Sequence, residues 1–307
     1  MPLFVFRRLF VFLGLSAFLL AAGAPASAQD EEEPLTVAEG WRSKLTGQLA
    51  FNQAAYSNWQ EGGLDALAFT VGTNGRFARL MGRFKQTHDA RLAFGLVKQD
   101  TLQFRKAVDV IRYAFQLQYT GTGHFQPTFA TDIRTQFAAG FDYDPDPEAY
   151  PTLADRIVPG ERLKVADFFA PAIWTQTVGI TYDPDRWYTA RLGFATKETI
   201  VLIDRLRPVY GNALDETVRV QAGLEFLAEA QKELFENVLL QSRLSLFQAF
   251  NQLDSAAPDL VFENILQLKV NDWLNTNLEL VSLYDKDTID KIQLKEVLSI
   301  GVAIRLL

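Results

Sequence analysis

The last fourteen residues, 294–307, alternate apolar with small or polar side chains to the very end. Leu298, Ile300, Val302, Ile304 and Leu306 share one phase; Val297, Ser299, Gly301, Ala303 and Arg305 share the other. Period two is the signature of a strand with one apolar face. A soluble domain that finished this way would expose a sheet edge. Closing a barrel on itself removes that edge, and a membrane barrel places the apolar phase against lipid.

The start of the chain agrees with export. Arg7 and Arg8 precede an apolar run, Leu9 to Ala22, and Ala26-Ser27-Ala28 has the small residues of a cleavage site. The run is about fourteen residues, short of the ~20 a spanning helix needs. Residues 1–28 are therefore expected to be a signal peptide, 29–40 an acidic leader, and 41–307 an outer-membrane β-barrel. Losing Arg7 and Arg8 would take the formal net charge from −7 to −9. The acidic balance weighs against a nucleic-acid partner. The chain contains no Cys, which excludes disulfides, thiol nucleophiles and cysteine metal sites.

Alternating segments recur throughout. Strands are predicted at 42–54, 64–77, 83–97, 107–120, 125–141, 166–182, 187–202, 216–228, 236–250, 259–270, 274–284 and 292–306. Every second connection is short, and the others are longer or more polar. An even strand count with loops sorted by length predicts a single 12-stranded antiparallel transmembrane barrel, with both termini on the short-turn, periplasmic side. Two stretches fit less well: Gln86 and His88 run in phase with Leu92 and Phe94, and Gln176 sits among apolar neighbours. A bulge would account for them.

Facing assignments put Arg83, Lys85, Arg91, Arg112, Arg134, Arg191, Arg219, Arg243, Lys269 and Arg305 in the lumen, with Asp89, Asp132, Glu225, Glu263 and Glu279. Ten basic against five acidic groups is a positive excess inside an acidic protein. The functional expectation is a narrow channel or solute-binding barrel that favours small anionic solutes. The alternative is a closed structural or surface-interaction barrel in which Arg–carboxylate pairs fill the bore and outward loops do the work. Eight strands leave a filled interior and 16–18 an aqueous channel, so a strand count of twelve does not decide between them.

Other motifs carry less. Asn58-Trp59 and Gly62-Gly63 fall in the first outward loop, as a stacking platform for a partner or simply as a turn anchored by Trp59. Asp142, Asp144, Asp146 and Glu148 offer hard oxygen ligands for Ca²⁺. However, Pro145, Pro147 and Pro151 favour a stiff acidic loop, and no metal or cofactor is expected. An outer-membrane hydrolase would need a Ser beside His88, where Thr87 is the only adjacent hydroxyl. No enzyme activity is expected.

An ordered set of short motifs spans the chain. Asn58-Trp59 with Gly62-Gly63 is followed by Phe94-Gly95-Leu96 with Lys106 and Asp109. Then come Thr135-Gln136-Phe137 with Gly140 and Asp142-Tyr143, and Phe168 with Ala170-Pro171-Ala172. Lys197, Thr199, Tyr210-Gly211, Glu236-Asn237-Val238, Tyr284-Asp285 and Gln293-Leu294-Lys295-Glu296 complete the series. This pattern resembles the domain-of-unknown-function 3078 family of Gram-negative envelope proteins. The resemblance implies an outer-membrane barrel with lipid around it and supplies no activity or catalytic residues. The chain ends in Leu307, where such barrels often end in an aromatic.

Overall fold

The computed structural model describes residues 40–54, 66–100, 102–184, 186–252, 257–271 and 273–306. Among them the strands are β1 (Gly40–Ala54), β2 (Ala66–Met81), β3 (Phe84–Gln99), β4 (Arg105–Tyr119), β5 (Phe125–Thr135), β6 (Gly140–Asp142) and β7 (Leu163–Ala166). They continue with β8 (Ala172–Tyr182), β9 (Tyr188–Ile200), β10 (Val218–Phe235), β11 (Val238–Ala249), β12 (Asp259–Lys269), β13 (Leu274–Asp285) and β14 (Ile289–Arg305). Twelve of these form one closed antiparallel barrel. Each pairs with the next in the chain, β5 passes directly to β8, and β14 returns to β1. The β6–β7 hairpin stands apart from the wall.

Three boundaries differ most from the sequence expectation. The segment read as one strand over 125–141 leaves the wall at Thr135. There Gln136 turns its side-chain amide onto the carbonyls of Asp167 (2.7 Å) and Ala170 (3.2 Å). The next wall strand begins only at Ala172, not 166. Conversely, the turn expected at 229–235 is strand. β10 runs to Phe235, and the reversal is made by Glu236 and Asn237, the latter at φ +65°.

Side chains alternate as the pleat demands. The outer wall carries the apolar phase: Phe194 is 69 % exposed, Val178 63 % and Leu298 62 %. An exposed apolar surface that continues around a closed wall is stable only against hydrocarbon. No helix of the described residues is long and apolar enough to cross a membrane. Aromatics gather at the short-turn ends, with ring centroids 5.0 Å apart for Phe125–Tyr182 and 4.9 Å for Trp187–Tyr188. Arg79 lies over the Trp41 ring at 5.7 Å. Such amphipathic rings suit the lipid–water boundary.

The misfit residues do face outward, and no bulge intervenes. β2 and β3 pair without a break from Ala66↔Gln99 to Met81↔Phe84, and the only shift between β3 and β4 comes later, at Gly95/Leu96. Polarity on that face is handled locally instead. The His88 ring contacts Gln86 Nε2 and the Tyr113 hydroxyl, each at 2.7 Å. Gln176 accepts from Thr196 (3.1 Å) and donates to Glu198 (3.3 Å).

The wall backbones come close together at Gly179 and Gly193, which are opposed across β8 and β9. A Cβ at Gly179 would lie 2.2 Å from the Leu192 carbonyl oxygen and 2.5 Å from the Gly193 Cα. These atoms are backbone and cannot give way. Gly179→Val is therefore expected to destabilise the barrel by about 1–3 kcal/mol. It should lower the temperature at which the compact, heat-modifiable gel band is lost, while the outward Val178→Leu leaves that temperature unchanged.

Candidate functional site

The lumen is crossed by charge. Arg112 on β4 donates to Asp132 on β5 (2.8 Å) and reaches Glu263 on β12 (3.6 Å). In the closed order β12 lies six strands from β4, on the opposite wall. Arg243 on β11 approaches Asp132 (3.4 Å), Glu229 (2.8 Å) and Glu263 (4.0 Å). Two guanidiniums and three carboxylates thus form one cluster spanning the bore. Guanidinium suits this role because its planar fork bonds several carboxylates at once.

Further ties flank the cluster. Arg91 donates to Glu279 (2.7 Å), which also accepts from Lys295 (3.0 Å), linking β3, β13 and β14. Arg191 donates to Glu225 (3.1 Å) with both side chains buried, and the Thr177 hydroxyl donates to the same carboxylate. Lys197 pairs with Asp259 and lies 3.6 Å from Asp285. Arg219 pairs with Asp287, to which Gln221 also donates (3.0 Å). Lys85 donates to Asp183 (3.1 Å), and Arg76 lies 3.6 Å from Asp89.

Arg83 is a correction to the sequence assignment. It is exposed in the turn after Gly82, and its guanidinium donates to the Tyr119 hydroxyl (3.3 Å) on the outer rim, so it does not line the bore. Lys269 lies exposed at the end of β12. Arg134 faces inward beside Arg112 in register and has no carboxylate partner among the described residues. Asn58, Trp59 and the Arg305 side chain lie outside the described residues.

The sequence assignment missed several inward acids. Glu229 was lost by ending its strand too early, while Asp259, Asp285 and Asp287 sit at strand ends or in a turn. Lys197 could have been found from its phase with Arg191. With these acids included, the positive excess expected of the lumen is largely neutralised.

A loop cap covers the mouth on the long-loop side. Residues 136–171 and 201–217 share a small apolar core of Leu153, Leu163, Ala170, Val201 and Leu206, packed by Tyr150, Ile157 and Val209. Asp109 anchors it to the rim by accepting the amides of Phe137 (2.7 Å) and Ala138 (3.0 Å). Lys106 donates to Asp109 (2.8 Å) and to the Ala138 carbonyl (2.7 Å). Arg207 ties its own loop by donating to Val201, Leu214 and Thr217. At the far edge Gly211, at φ +77°, approaches the β13–β14 turn so closely that a Cβ would lie 3.0 Å from Asp287 Cβ. The cap therefore reaches across the mouth.

The acidic stretch belongs to this cap. Asp142 accepts from the Tyr150 hydroxyl (3.0 Å) and the Asp144 amide (3.0 Å), and Asp146 accepts from the Glu148 amide (2.9 Å). Burial and Asp142 push the Tyr150 hydroxyl up to about 12, and burial raises Tyr210 as well. His88 faces lipid with Gln86 and Tyr113 as its partners, and His124 approaches the Asp183 carbonyl (3.2 Å). Neither histidine is hydrogen-bonded to a serine among the described residues.

Residues 51–141 match the family described as "Protein of unknown function (DUF3078)". The matched stretch comprises the end of β1, β2 through β5 and the first part of the cap, including Lys106 and Asp109. No curated protein matches the chain. Among solved structures it is similar to the COG4313 outer membrane channel from Pseudomonas putida F1, at 11 % identity and TM-score 0.37, covering 90 % of this chain and 98 % of that one. It is also similar to the translocator domain of the autotransporter NalP from Neisseria meningitidis (10 %, 0.33, 88 % and 90 %). A third is the CymD monoaromatic hydrocarbon channel (9 %, 0.34, 90 % and 91 %). Likeness at this level does not extend to function.

Glu225→Ala leaves the buried Arg191 guanidinium without its carboxylate. It is expected to cost about 3–5 kcal/mol, read as a lower heat-modifiability midpoint, with Glu225→Gln milder. The cap should respond to alkali. A tyrosine whose folded value exceeds its ordinary ~10 contributes stability that is intact below that pH and lost as pH climbs through the folded value. Tyrosinate absorbance and protease nicking of 143–162 should therefore both rise between about 10 and 12, with the barrel wall still intact.

Proposed function

We propose that this DUF3078-type chain is an outer-membrane barrel acting as a narrow channel or solute-binding barrel. Its axial route is shut at rest by the Arg112–Asp132–Glu263–Arg243–Glu229 cluster. The observation that carries this reading is the approach of Arg112 to Glu263 from the opposite wall. Ion pairs between facing walls are reversible closures: opposite charges attract when dry and part when water or a charged solute offers competing partners. The cap forms a second closure at the mouth. In this reading both termini lie in the periplasm, residues 1–28 serve as the export signal, and the cap faces outward.

Preference for anionic solutes rests on Arg134. A guanidinium without a carboxylate partner can take a carboxylate or phosphate in a bidentate grip. Lys85, Arg91, Arg112, Arg191, Lys197, Arg219 and Arg243 are each already paired with a carboxylate.

The alternative is a permanently closed barrel whose cap meets a partner, and it draws on the same cluster. Planar-bilayer recording separates the two. The wild type should show rare, small openings, and Arg112→Gln with Glu263→Gln should raise open probability several-fold. Arg134→Glu should move the reversal potential toward cations. Silence from a folded double variant would reject the channel and leave the closed barrel.

A further inference from the structure

β14 is held unequally by its two neighbours. β13 pairs with it from Leu274↔Val302 up to Asp285↔Ile289. On the other side β1 pairs only from Thr46↔Arg305 to Ala50↔Gly301, after which the seam ends. β1 itself continues to Ala54 with every residue matched to β2. Among the described residues, Phe51–Ala54 and, opposite them by register, Val297–Ile300 have no partner across this seam.

The gap begins at membrane depth. Ile300 adjoins the zipped part and is 53 % exposed, in the same outward phase as Ile304, Leu298 and Leu294. Bare backbone amides against hydrocarbon cost several kcal/mol each, so such an edge persists only where protein covers it or where it lines a wet cavity. The lumen supplies that cavity. The inward phase at the seam comprises Ala50, Asn52, Val297, Ser299 and Gly301, with Thr70 and Gly72 beside them on β2. Behind it, the chain Lys295–Glu279–Arg91 passes from β14 to β3, bypassing β1 and β2. The opening thus has an apolar outer lip at Phe51, Leu298 and Ile300, a throat without large side chains and a charged inner wall.

We propose that the gap between β1 and β14 is a lateral port. It admits an alkyl chain, borne by a membrane lipid or by a lipid-soluble solute, from the bilayer into the lumen. The apolar lip at bilayer depth selects that chemistry, and the Lys295–Glu279–Arg91 wall would meet a polar head attached to it. The port needs neither the cap nor the Arg112 cluster to move, so it stands or falls separately from axial conductance.

The chain has no cysteine, so a single introduced thiol reports alone. Bimane would be placed at Ser299→Cys, facing inward at the gap, at Ser245→Cys, facing inward on β11, and at Leu298→Cys, facing outward. Each protein is then reconstituted into vesicles of brominated phosphatidylcholine, or into plain vesicles with bromododecanoic acid. Quenching at 299 close to that at 298 and several-fold above that at 245 supports the port. The two vesicle arms distinguish lipid-borne from free chains. Quenching at 299 as weak as at 245 in both arms overturns it. Hydrogen exchange on the unmodified barrel is the independent check. Alternate amides between Val297 and Ile300 should exchange far faster than those of β13. Full protection there would mean that another strand covers the edge, which also overturns the port.

Discussion

A strand wall survives in hydrocarbon only if its backbone amides are paired, and closure into a ring is how a sheet achieves this. Everything else about this molecule follows from that requirement. Alternation sorts apolar side chains outward and polar ones inward because the ring has one face in lipid and one enclosed. The glycine pair in β8 and β9 leaves room for backbones that approach too closely for a Cβ. Where pairing among the described residues stops, beyond Ala50↔Gly301 at the seam between β1 and β14, the same requirement makes the exception informative.

Enclosure also decides the fate of the lumen charges. A guanidinium taken from water into a confined bore is costly unless a carboxylate meets it. A twelve-stranded ring is narrow enough for side chains on opposite walls to touch, as Arg112 and Glu263 do. A net count of lumen charges therefore misleads. Under the channel function proposed above, an entering solute would meet the field left after pairing, carried by groups such as Arg134 rather than by the clustered arginines.

Much of the fold was legible in the residues because lipid exposure writes a strict period-two code. The twelve wall strands, the sorting of loops by length and the inward phase of Arg112, Asp132, Arg191, Glu225, Arg243 and Glu263 all follow from it. The code fails where the wall ends. Thr135-Gln136-Phe137 keeps alternating after the chain has left the barrel, since Gln136 and Asp109 hold that segment to the rim through backbone groups that composition does not reveal. Partners such as Asp259, Asp285 and Asp287 sit at strand ends or in a turn, where phase no longer reports facing. Pairing across the bore is a three-dimensional fact with sequence separations above 60 residues, as between Lys197 and Asp259.

The motif residues that suggested the family take on a physical meaning in this light. Lys106, Asp109, Thr135, Gln136, Ala170 and Pro171 meet at one place, the hinge where the cap joins the wall. Lys197 and Tyr210 lie on the adjoining strand and loop, with Tyr210 donating to the Val165 carbonyl across the cap. Lipid-facing positions, by contrast, need only be apolar, and many residues meet that demand equally well. Specific side chains are required where a loop must hold one conformation over an enclosed, charged bore. The part of the signature that gathers at the hinge therefore points to the covered mouth as a place whose geometry the fold is built to keep, with the strands as its support.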